Sequence, residues 1–209
     1  NLNFINLKNG TNMIDENSSN SFYNKPNLRT ICVDETEEDT ILALLMQSDI
    51  QNVSVSTYCS FSPGGSYNTI AGSVRFNNNA DGCSPSDPVL HNMKIDITDG
   101  VSSGAAFTSV NGVYTFYVQQ PNLTLTPVFE NSIYFLVAPA SATVDFPSNN
   151  NSTQLQDFCV TPNGFHPDIE VIVLPLSTAR PGFDATYQIT FKNKGNYAYP
   201  EGIVGFQFD

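Results

Sequence analysis

The chain has 209 residues and is strongly acidic, with 20 Asp and Glu against 8 Lys and Arg and a formal net charge of -12. Because such a surface repels phosphate groups, the composition disfavours nucleic-acid binding and attachment to anionic membranes. Charged residues make up only 13% of the chain, whereas Asn, Ser, Thr, Phe and Tyr are abundant, as is typical of β-rich extracellular proteins. No apolar run reaches membrane-spanning length, so we expect no membrane insertion.

Three apolar triplets with the spacing L-x-x-L-x-L recur within the first 60 residues. They begin at Leu2, Leu28 and Ile50, and successive triplets are therefore 26 and 22 residues apart. This period is typical of leucine-rich repeats, in which each unit adds one strand to a parallel solenoid. We therefore predict that residues 1–60 form the C-terminal end of a leucine-rich-repeat solenoid whose earlier repeats lie outside this segment.

A short amphipathic helix is predicted between the second and third triplets. Acidic residues from Glu37 suit the positive end of a helix, and Ile41, Leu44 and Leu45 fall on one helical face. A helix that connects two parallel strands is what the convex side of such a solenoid requires.

A Pro- and Gly-rich linker is predicted at 61–68, and the segment 69–161 then alternates β-prone runs with turn signals. The runs are Ile70–Phe76, Met93–Ile97, Val113–Val118, Leu123–Val128, Ile133–Val137 and Ala142–Phe146. Asn111-Gly112 between two runs predicts a β-hairpin. Together these signals predict a small β-sandwich of the Ig-like or prealbumin-like kind.

A second linker is predicted at 162–168, followed by three further β-prone runs in 169–209. These runs are Ile169–Leu174, Ala185–Lys192 and Ile203–Phe208. Three strands bury too little apolar surface to form an independent domain. We therefore expect them to be the first strands of a further Ig-like sandwich that is truncated in this segment, and the predicted fold class is mainly β throughout.

The four cysteines are Cys32, Cys59, Cys83 and Cys159. None has the C-x-x-C spacing and no histidine lies near one, so a zinc site is not indicated. Three pairings are possible, and four buried free thiols are the alternative. The division into modules favours Cys32–Cys59 and Cys83–Cys159, because each pair then closes a loop inside one module. Disulfides imply an oxidising compartment, and we expect a secreted or outer-cell-surface protein.

Several stretches resemble one family, and their combination is more specific than any single stretch. They are PNLRTICVD (26–34), YCSFSPGG (58–65), ARPGFDATY (179–187) and YQITFKNKGN (187–196). This combination resembles large secreted surface proteins of Bacteroidota that carry leucine-rich repeats and use type IX secretion. The resemblance implies export by that secretion machinery, directed by a C-terminal sorting domain that this segment does not contain.

The middle module carries a second resemblance, in two short motifs. Gly72-x-Val74-x-Phe76 stands before an Asn- and Asp-rich loop, and Thr108-x-x-x-Gly112-x-Tyr114-x-Phe116 follows. Both motifs are similar to the B-type stalk repeats of Gram-positive adhesins.

The loop 77–87 is the best candidate for a metal site. Oxygen-bearing side chains at alternate positions, followed by Gly82, resemble a calcium loop. The predicted ligands are Asn77, Asn79, Asp81, the carbonyl of Cys83, and Asp87. The stalk repeats usually have Asp at the first position, where this chain has Asn77. Only two carboxylates remain, so any calcium site should be weak, and the alternative is a turn-rich loop held by Cys83.

No catalytic pattern stands out in the sequence. Neither histidine has a partner suited to catalysis, and the pair Asp168 and Glu170 is only a weak signal for glycoside chemistry. We therefore expect a non-enzymatic segment of a multidomain protein that supplies spacer or adhesin-type modules, with a protein or a surface glycan as partner. The alternative is a carbohydrate-binding or hydrolase-accessory module. The absence of Trp argues against it, whereas 9 Tyr and 15 Phe keep it open.

Overall fold

A computed structural model describes residues 2–12, 14, 22, 25–58, 62–119, 121–205 and 207. The described chain is mainly β, as predicted. It divides into two compact units: Asn1–Val128 with Val137–Val160, and Phe129–Leu136 with Thr161–Asp209. Among the described residues, no helix combines the length and the apolar character needed to cross a membrane.

The first unit begins with a small parallel sheet. Its strands are β1 (Phe4–Asn6), β2 (Thr30–Cys32) and β3 (Ser54–Ser56), in the order β1-β2-β3. Parallel strands that recur at this interval are what the triplet pattern predicts. That these strands belong to a leucine-rich-repeat solenoid stays a prediction.

The register of the third strand differs from the predicted alignment of the triplets. Ile5 pairs with Ile31 as expected, but Ile31 lies opposite Val55 rather than Val53. The interval from the second strand to the third is therefore 24 residues rather than the 22 that the triplets suggest. Because side chains alternate with a period of two, a shift of two residues keeps Val55 on the face that Val53 was expected to occupy.

Helix α1 (Glu38–Gln47) connects β2 to β3, and it buries the three residues predicted to form its apolar face. Ile41, Leu44 and Leu45 pack in one hydrophobic cluster with residues of β2 and its flanks, including Leu28 and Ile31. Glu38 and Asp39 occupy the first turn of the helix, where the positive end of the helix dipole favours carboxylates.

Two sheets form the sandwich predicted for residues 69–161. The strands are β4 (Asn68–Phe76), β5 (Lys94–Thr98), β6 (Ser103–Phe107), β7 (Val113–Val118), β8 (Asn122–Val128), β9 (Phe135–Ala138), β10 (Ala142–Asp145), β11 (Thr153–Leu155) and β12 (Phe158–Pro162). One sheet has the order β10-β8-β5-β6, and the other has the order β11-β4-β12-β9 with β7 also paired to β4. Buried residues alternate along the strands, as on the inner faces of a sandwich.

The predicted hairpin at Asn111-Gly112 is wrong, although the turn itself is present. β6 before the turn belongs to one sheet, whereas β7 after it pairs with β4 in the other. The turn therefore carries the chain between the sheets. Gly112 has a φ of 71°, and a Cβ at this position would press against Val89. The short strands β6, β11 and β12 have no counterpart among the predicted runs. For β6 and β11 the reason is that Ser-, Gly- and Ala-rich or polar runs carry little β signal.

β4 has antiparallel and parallel partners along its length. It pairs antiparallel with β7 and parallel with both β11 and β12, with Thr69 opposite Thr153 and Val74 opposite Phe158. Between β11 and β12 the backbone of Gln156 passes directly over Gly72, and the Gln156 N–H donates to the Ala71 carbonyl at 2.9 Å.

The disulfide Cys83–Cys159 is confirmed, with a Cα–Cα distance of 5.5 Å and a sequence separation of 76 residues. Cys32 is also disulfide-bonded. Its predicted partner, Cys59, lies outside the described residues, so the Cys32–Cys59 pair stays a prediction.

The segment 62–65 of the predicted first linker packs against the first repeat. The Gly64 N–H donates to the Lys8 carbonyl at 3.0 Å, and Gly65, with a φ of 74°, lies against the Asn9 backbone. The predicted domain limits stay predictions.

The second unit contains one antiparallel hairpin, β13 (Ile169–Pro175) with β14 (Tyr187–Asn193). Nearly every residue of both strands is exposed, including Val171, Val173 and Phe191. The third predicted strand, Ile203–Phe208, is not formed at residues 203–205, which have no regular structure. Phe206 and Phe208 lie outside the described residues.

The crossing of Gln156 over Gly72 yields a test of the fold. In Gly72→Ala, the new methyl group would overlap the Gln156 carbonyl oxygen and crowd the Tyr114 ring. We expect unfolding in denaturant to show a loss of about 3 kcal/mol, the upper range for forced overpacking. The control Gly202→Ala, where nothing lies within 4 Å of the new Cβ, should change stability by less than about 0.5 kcal/mol. Equal midpoints for the two variants would contradict the close crossing.

Candidate functional site

The predicted calcium loop is held at several points by its own contacts. The Asp81 carboxylate accepts a hydrogen bond from the Asn79 amide at 2.8 Å. The Asp87 carboxylate accepts from the Ser84 backbone N–H at 2.6 Å, which closes a turn from Ser84 to Asp87. Asn77 is buried, and its backbone N–H donates to the Val160 carbonyl at 2.8 Å.

The two carboxylates of the loop therefore serve different local turns. An ion at Asp81 would have to replace the Asn79 amide, and one at Asp87 would have to compete with the Ser84 N–H. Among the described residues, no three His, Cys, Asp or Glu side chains are grouped closely enough to hold an ion. Three of the five predicted ligands are instead amide or carbonyl oxygens, so the calcium site stays a prediction.

The C-terminal half of this loop is fixed to β4 and β12. The Arg75 guanidinium donates to the carbonyls of Pro85 and Asp87 at 3.0 and 2.8 Å, and the disulfide ties Cys83 to Cys159. Residues 78–82 are exposed. The loop therefore has an exposed tip on an anchored base, and these anchoring contacts do not involve an ion.

In the second unit the weak catalytic candidates have structural roles. Asp168 accepts from the Asn131 amide at 3.3 Å, and Glu170 accepts from the Lys194 ammonium at 2.7 Å. The His166 ring stacks on Tyr134 with centroids 4.3 Å apart. His91, in the first unit, is exposed. Within the second unit, Asp168, Glu170 and His166 are thus each held by a structural contact.

Lys194 is the centre of a small ion-pair network. It contacts both Glu130 and Glu170, and Lys192 also contacts Glu130 at 2.9 Å. Hydrogen bonds from Lys194 and then Lys192 lower the pKa of Glu130. The hydrogen bonds to Glu130 and then Glu170 raise the pKa of Lys194.

An acidic cleft in the first unit was not found from the sequence. It has a volume of about 400 Å³ and is lined by Glu35, Glu38, Asp39, Asp99, Val101, Ser102, Pro121 and Asn122. The acidic run at the start of helix α1 is visible in the sequence, where it predicts the beginning of a helix and not a cleft. Asp99 comes from the turn between β5 and β6, and no sequence spacing connects it to that run.

Local hydrogen bonds position the carboxylates of this acidic cleft. Asp99 accepts from the backbone N–H groups of Val101 and Ser102 at 2.8 and 2.7 Å. The Ser102 hydroxyl donates to Glu38 at 3.0 Å, which links the turn to the start of α1. Glu35 pairs with the buried ammonium of Lys8 at 2.9 Å.

The Tyr58 hydroxyl lies among these carboxylates. Tyr58 is only 7% exposed, and its ring packs on Gly104, where a Cβ would collide with it. Burial, followed by the charges of Asp99 and Glu35, raises the pKa of Tyr58 well above its usual value. The hydroxyl is closed to solvent, and Tyr58 is not among the residues that line the acidic cleft.

No protein-family model and no curated protein matches the sequence. Among solved structures, the minor pilin of Streptococcus agalactiae matches with 8% identity and a TM-score of 0.35, over 46% of this chain and 45% of the pilin. The shaft pilin of Lactobacillus rhamnosus GG matches with 7% identity and a TM-score of 0.37, over 49% of this chain and 54% of the pilin.

A protein of the DUF3823 family from Bacteroides ovatus matches with 16% identity and a TM-score of 0.31, over 62% of this chain and 58% of that protein. The chain thus spans about half of the length of the two pilins. These identities and TM-scores are too low to support a functional conclusion.

The Lys194 network gives a prediction for the titration of Glu130. Because its pKa is lowered in the folded state, the interaction stabilises the fold above the unfolded-state pKa, and the stabilisation is lost as the pH falls through the lowered value. Carboxyl NMR should show Glu130 titrating below an ordinary glutamate, and Lys194→Met should move its pKa upward. The control Lys25→Met, at an exposed site, should leave it unchanged. A Glu130 pKa that is the same in Lys194→Met as in the unmodified chain would contradict the network.

Proposed function

We propose that this chain is a non-enzymatic segment of a secreted or cell-surface multidomain protein and that its sandwich is a spacer that carries mechanical tension in an adhesin-type stalk. The observation that carries the proposal is the parallel pairing of β4 with β11 and β12. The disulfide, which suits an oxidising compartment, supports the location.

The parallel pairing determines the direction in which a pulling force acts on the hydrogen bonds between the strands. The chain enters β4 at Asn68 and leaves β12 at Pro162. In parallel strands these two points lie at opposite ends of the ladder. Tension between them therefore shears the ladder, so that its hydrogen bonds resist together rather than opening one after another.

The disulfide shortens the covalent path that carries this force. Cys83 follows β4 and Cys159 lies within β12, so tension passes from β4 through the Cys83–Cys159 bond and out along β12. The residues between the two cysteines, which include the strands from β5 to β11, are removed from the load. This arrangement supports the function of a spacer that keeps its length under tension.

Single-molecule force spectroscopy on the whole chain tests the spacer proposal. The double variant Cys83→Ser/Cys159→Ser releases a separation of 76 residues, which at full extension adds roughly 27 nm to the unfolded length relative to the unmodified chain. When force is applied at Ser66 and Asn163, the chain should also unfold at a higher force than when it is applied at Ser66 and Gln119. The second pair peels β4 from its antiparallel neighbour β7.

Two results would count against the spacer. One is an unmodified chain that extends by the same length as the double variant, because the disulfide would then carry no load. The other is an equal unfolding force for the two attachment geometries, because shear across β4 would then give no resistance.

We also propose that residues 1–60 are the end of a leucine-rich-repeat solenoid and that 169–209 begin a further Ig-like sandwich. The parallel order β1-β2-β3 with helix α1 supports the first assignment. The apolar surface exposed along β13 and β14 supports the second, because an isolated two-stranded hairpin is marginally stable in water. Export by type IX secretion rests on the sequence resemblance.

The carbohydrate-binding alternative rests on one specific observation, a group of exposed rings in the second unit. Phe165, Tyr197 and Tyr199 are each more than 40% exposed. However, Phe165 and Tyr197 meet at 69°, and Tyr197 and Tyr199 meet at 85°. Rings packed edge to face do not form the flat platform on which a sugar chain stacks, so we favour the spacer.

Calcium binding by the loop 77–87 remains part of the proposal, and the contacts of Asp81 make it testable. Calcium at millimolar concentration should raise the melting temperature of the chain by mass action, with a dissociation constant of roughly 0.1–1 mM, as in extracellular modules. Asp81→Asn should remove this shift without lowering stability, because Arg75 and the disulfide still anchor the loop. The matched control Asp145→Asn should keep it. If titration calorimetry with millimolar calcium measures no heat of binding, calcium is no longer part of the proposal.

A further inference from the structure

We propose that the Cys83–Cys159 disulfide is a thiol-exchange site in the folded chain, at which a low-molecular-weight thiol attacks the Cys83 sulfur and Cys159 leaves as a thiolate. The exchange chemistry does not require the spacer role, whereas its mechanical consequence rests on that proposed function. Three observations carry the inference: the position of the disulfide in a cavity at the surface, the charge beside Cys159, and the contacts that keep the two cysteines close together.

The disulfide lies on the outer face of its sheet, where a small reagent can reach it. In β12, Phe158 and Val160 are buried, whereas Cys159 between them is half-buried and lies on the opposite face, because successive side chains of a strand alternate. Cys83 is half-buried as well, and both cysteines line a cavity of about 330 Å³. Cys32, in contrast, is only 2% exposed. The fold therefore presents one disulfide to a small thiol and protects the disulfide of Cys32.

The charge distribution around the bond determines which sulfur leaves. Cys159 lies directly opposite Arg75 in the parallel ladder of β12 and β4, and both residues line the cavity. A nearby positive charge stabilises a thiolate, and the sulfur that forms the more stable thiolate leaves more readily. The Cys83 sulfur instead lies 3.5 Å from the Arg75 carbonyl oxygen, whose partial negative charge disfavours a thiolate there. Attack on Cys83 with departure of Cys159 is therefore the favoured direction.

Asp157 is the negative group that also lines this cavity. Its carboxylate accepts hydrogen bonds from the backbone N–H and the hydroxyl of Ser73, at 2.6 and 2.9 Å. These two donors offset part of its charge, so the Arg75 guanidinium is not cancelled at the cavity.

The exchange proceeds in two steps that each transfer one S–S bond. In the first step, the thiolate of the small molecule bonds to the Cys83 sulfur, the Cys83–Cys159 bond breaks, and its electron pair leaves with the Cys159 sulfur. In the second step, another small thiolate attacks the small-molecule sulfur of the mixed disulfide, and Cys83 leaves as a thiolate. The cysteine pair is thereby reduced, the two small thiols are oxidised to their disulfide, and water supplies the protons that the cysteine sulfurs take up.

Contacts that do not involve the disulfide keep the two cysteines in place for reclosure. The Arg75 guanidinium holds the base of the loop through the carbonyls of Pro85 and Asp87, at 3.0 and 2.8 Å, and the ladder between β4 and β12 holds Cys159. A low-molecular-weight disulfide can therefore close the bond again. In an oxidising compartment the bond stays closed, and a supply of thiol opens it and exposes the residues between the cysteines to the load on the proposed spacer.

Mass mapping of the whole chain, without denaturant, tests this inference. The probe is mercaptoethanol, whose neutral parent thiol is not drawn to or repelled by an acidic protein, and N-ethylmaleimide stops the reaction at short times. We expect peptides that carry mercaptoethanol on Cys83 and maleimide on Cys159. Cys32 should react roughly tenfold more slowly, because access limits the exchange.

Variants of Arg75 test the role of its charge. Arg75→Gln removes the charge and should slow the first step roughly threefold, because Cys159 becomes a poorer leaving group. Arg75→Lys keeps the charge without the planar fork of the guanidinium, and it should restore most of the rate. The matched control Arg180→Gln, at an exposed position of the second unit, should react as the unmodified chain does.

Three results would overturn the proposal. Mercaptoethanol on Cys159 with maleimide on Cys83 would reverse the direction of attack. Equal rates at Cys83 and Cys32, or reduction only after a denaturant is added, would show that the folded chain does not present the bond. An Arg75→Gln variant as fast as the unmodified chain would show that its charge does not select the leaving sulfur. If the mapping is as expected but the double cysteine variant adds no length under force, the spacer fails and the exchange site stands.

Discussion

The pairing of β4 with three other strands is the constraint on which most of the first unit depends. Its antiparallel ladder with β7 places Tyr114 beside Gly72, and its parallel ladders receive β11 and β12 from the far end of the sequence. The Tyr114 hydroxyl donates to the Gln156 carbonyl at 2.6 Å, which satisfies the backbone where β11 gives way to β12. Parallel pairing of β4 with β12 closes a long loop, which costs conformational entropy. The Cys83–Cys159 bond lies at this pairing and reduces that cost by constraining the unfolded chain.

A second constraint is the burial of Lys8 in the first unit. Its side chain is fully buried, and its ammonium donates to Glu35 and to the Thr57 carbonyl. Beside it, Asp34 accepts from the backbone N–H groups of Asn9 and Gly10. A buried charge must be paired to be tolerated. These contacts join the turn after β1 to residues that follow β2 and β3, and they hold Glu35 at the edge of the acidic cleft.

The proposed spacer role rests on the backbone rather than on particular side chains. The spacer depends on backbone hydrogen bonds loaded in shear and on one covalent bond, neither of which requires a particular side-chain chemistry.

The sequence by itself determined the local elements and the chemistry of the cross-link. Apolar periodicity predicted helix α1 and most strands of the sandwich, because burial on one face imposes a period that can be read directly. The division into modules predicted Cys83–Cys159. Only the tertiary structure decided that the Asn111-Gly112 turn crosses between sheets, and that Asp99 and Glu38 line one acidic cleft. Such contacts join residues far apart in the chain, and the sheet order that creates them is set by packing of whole strands, which no short motif encodes.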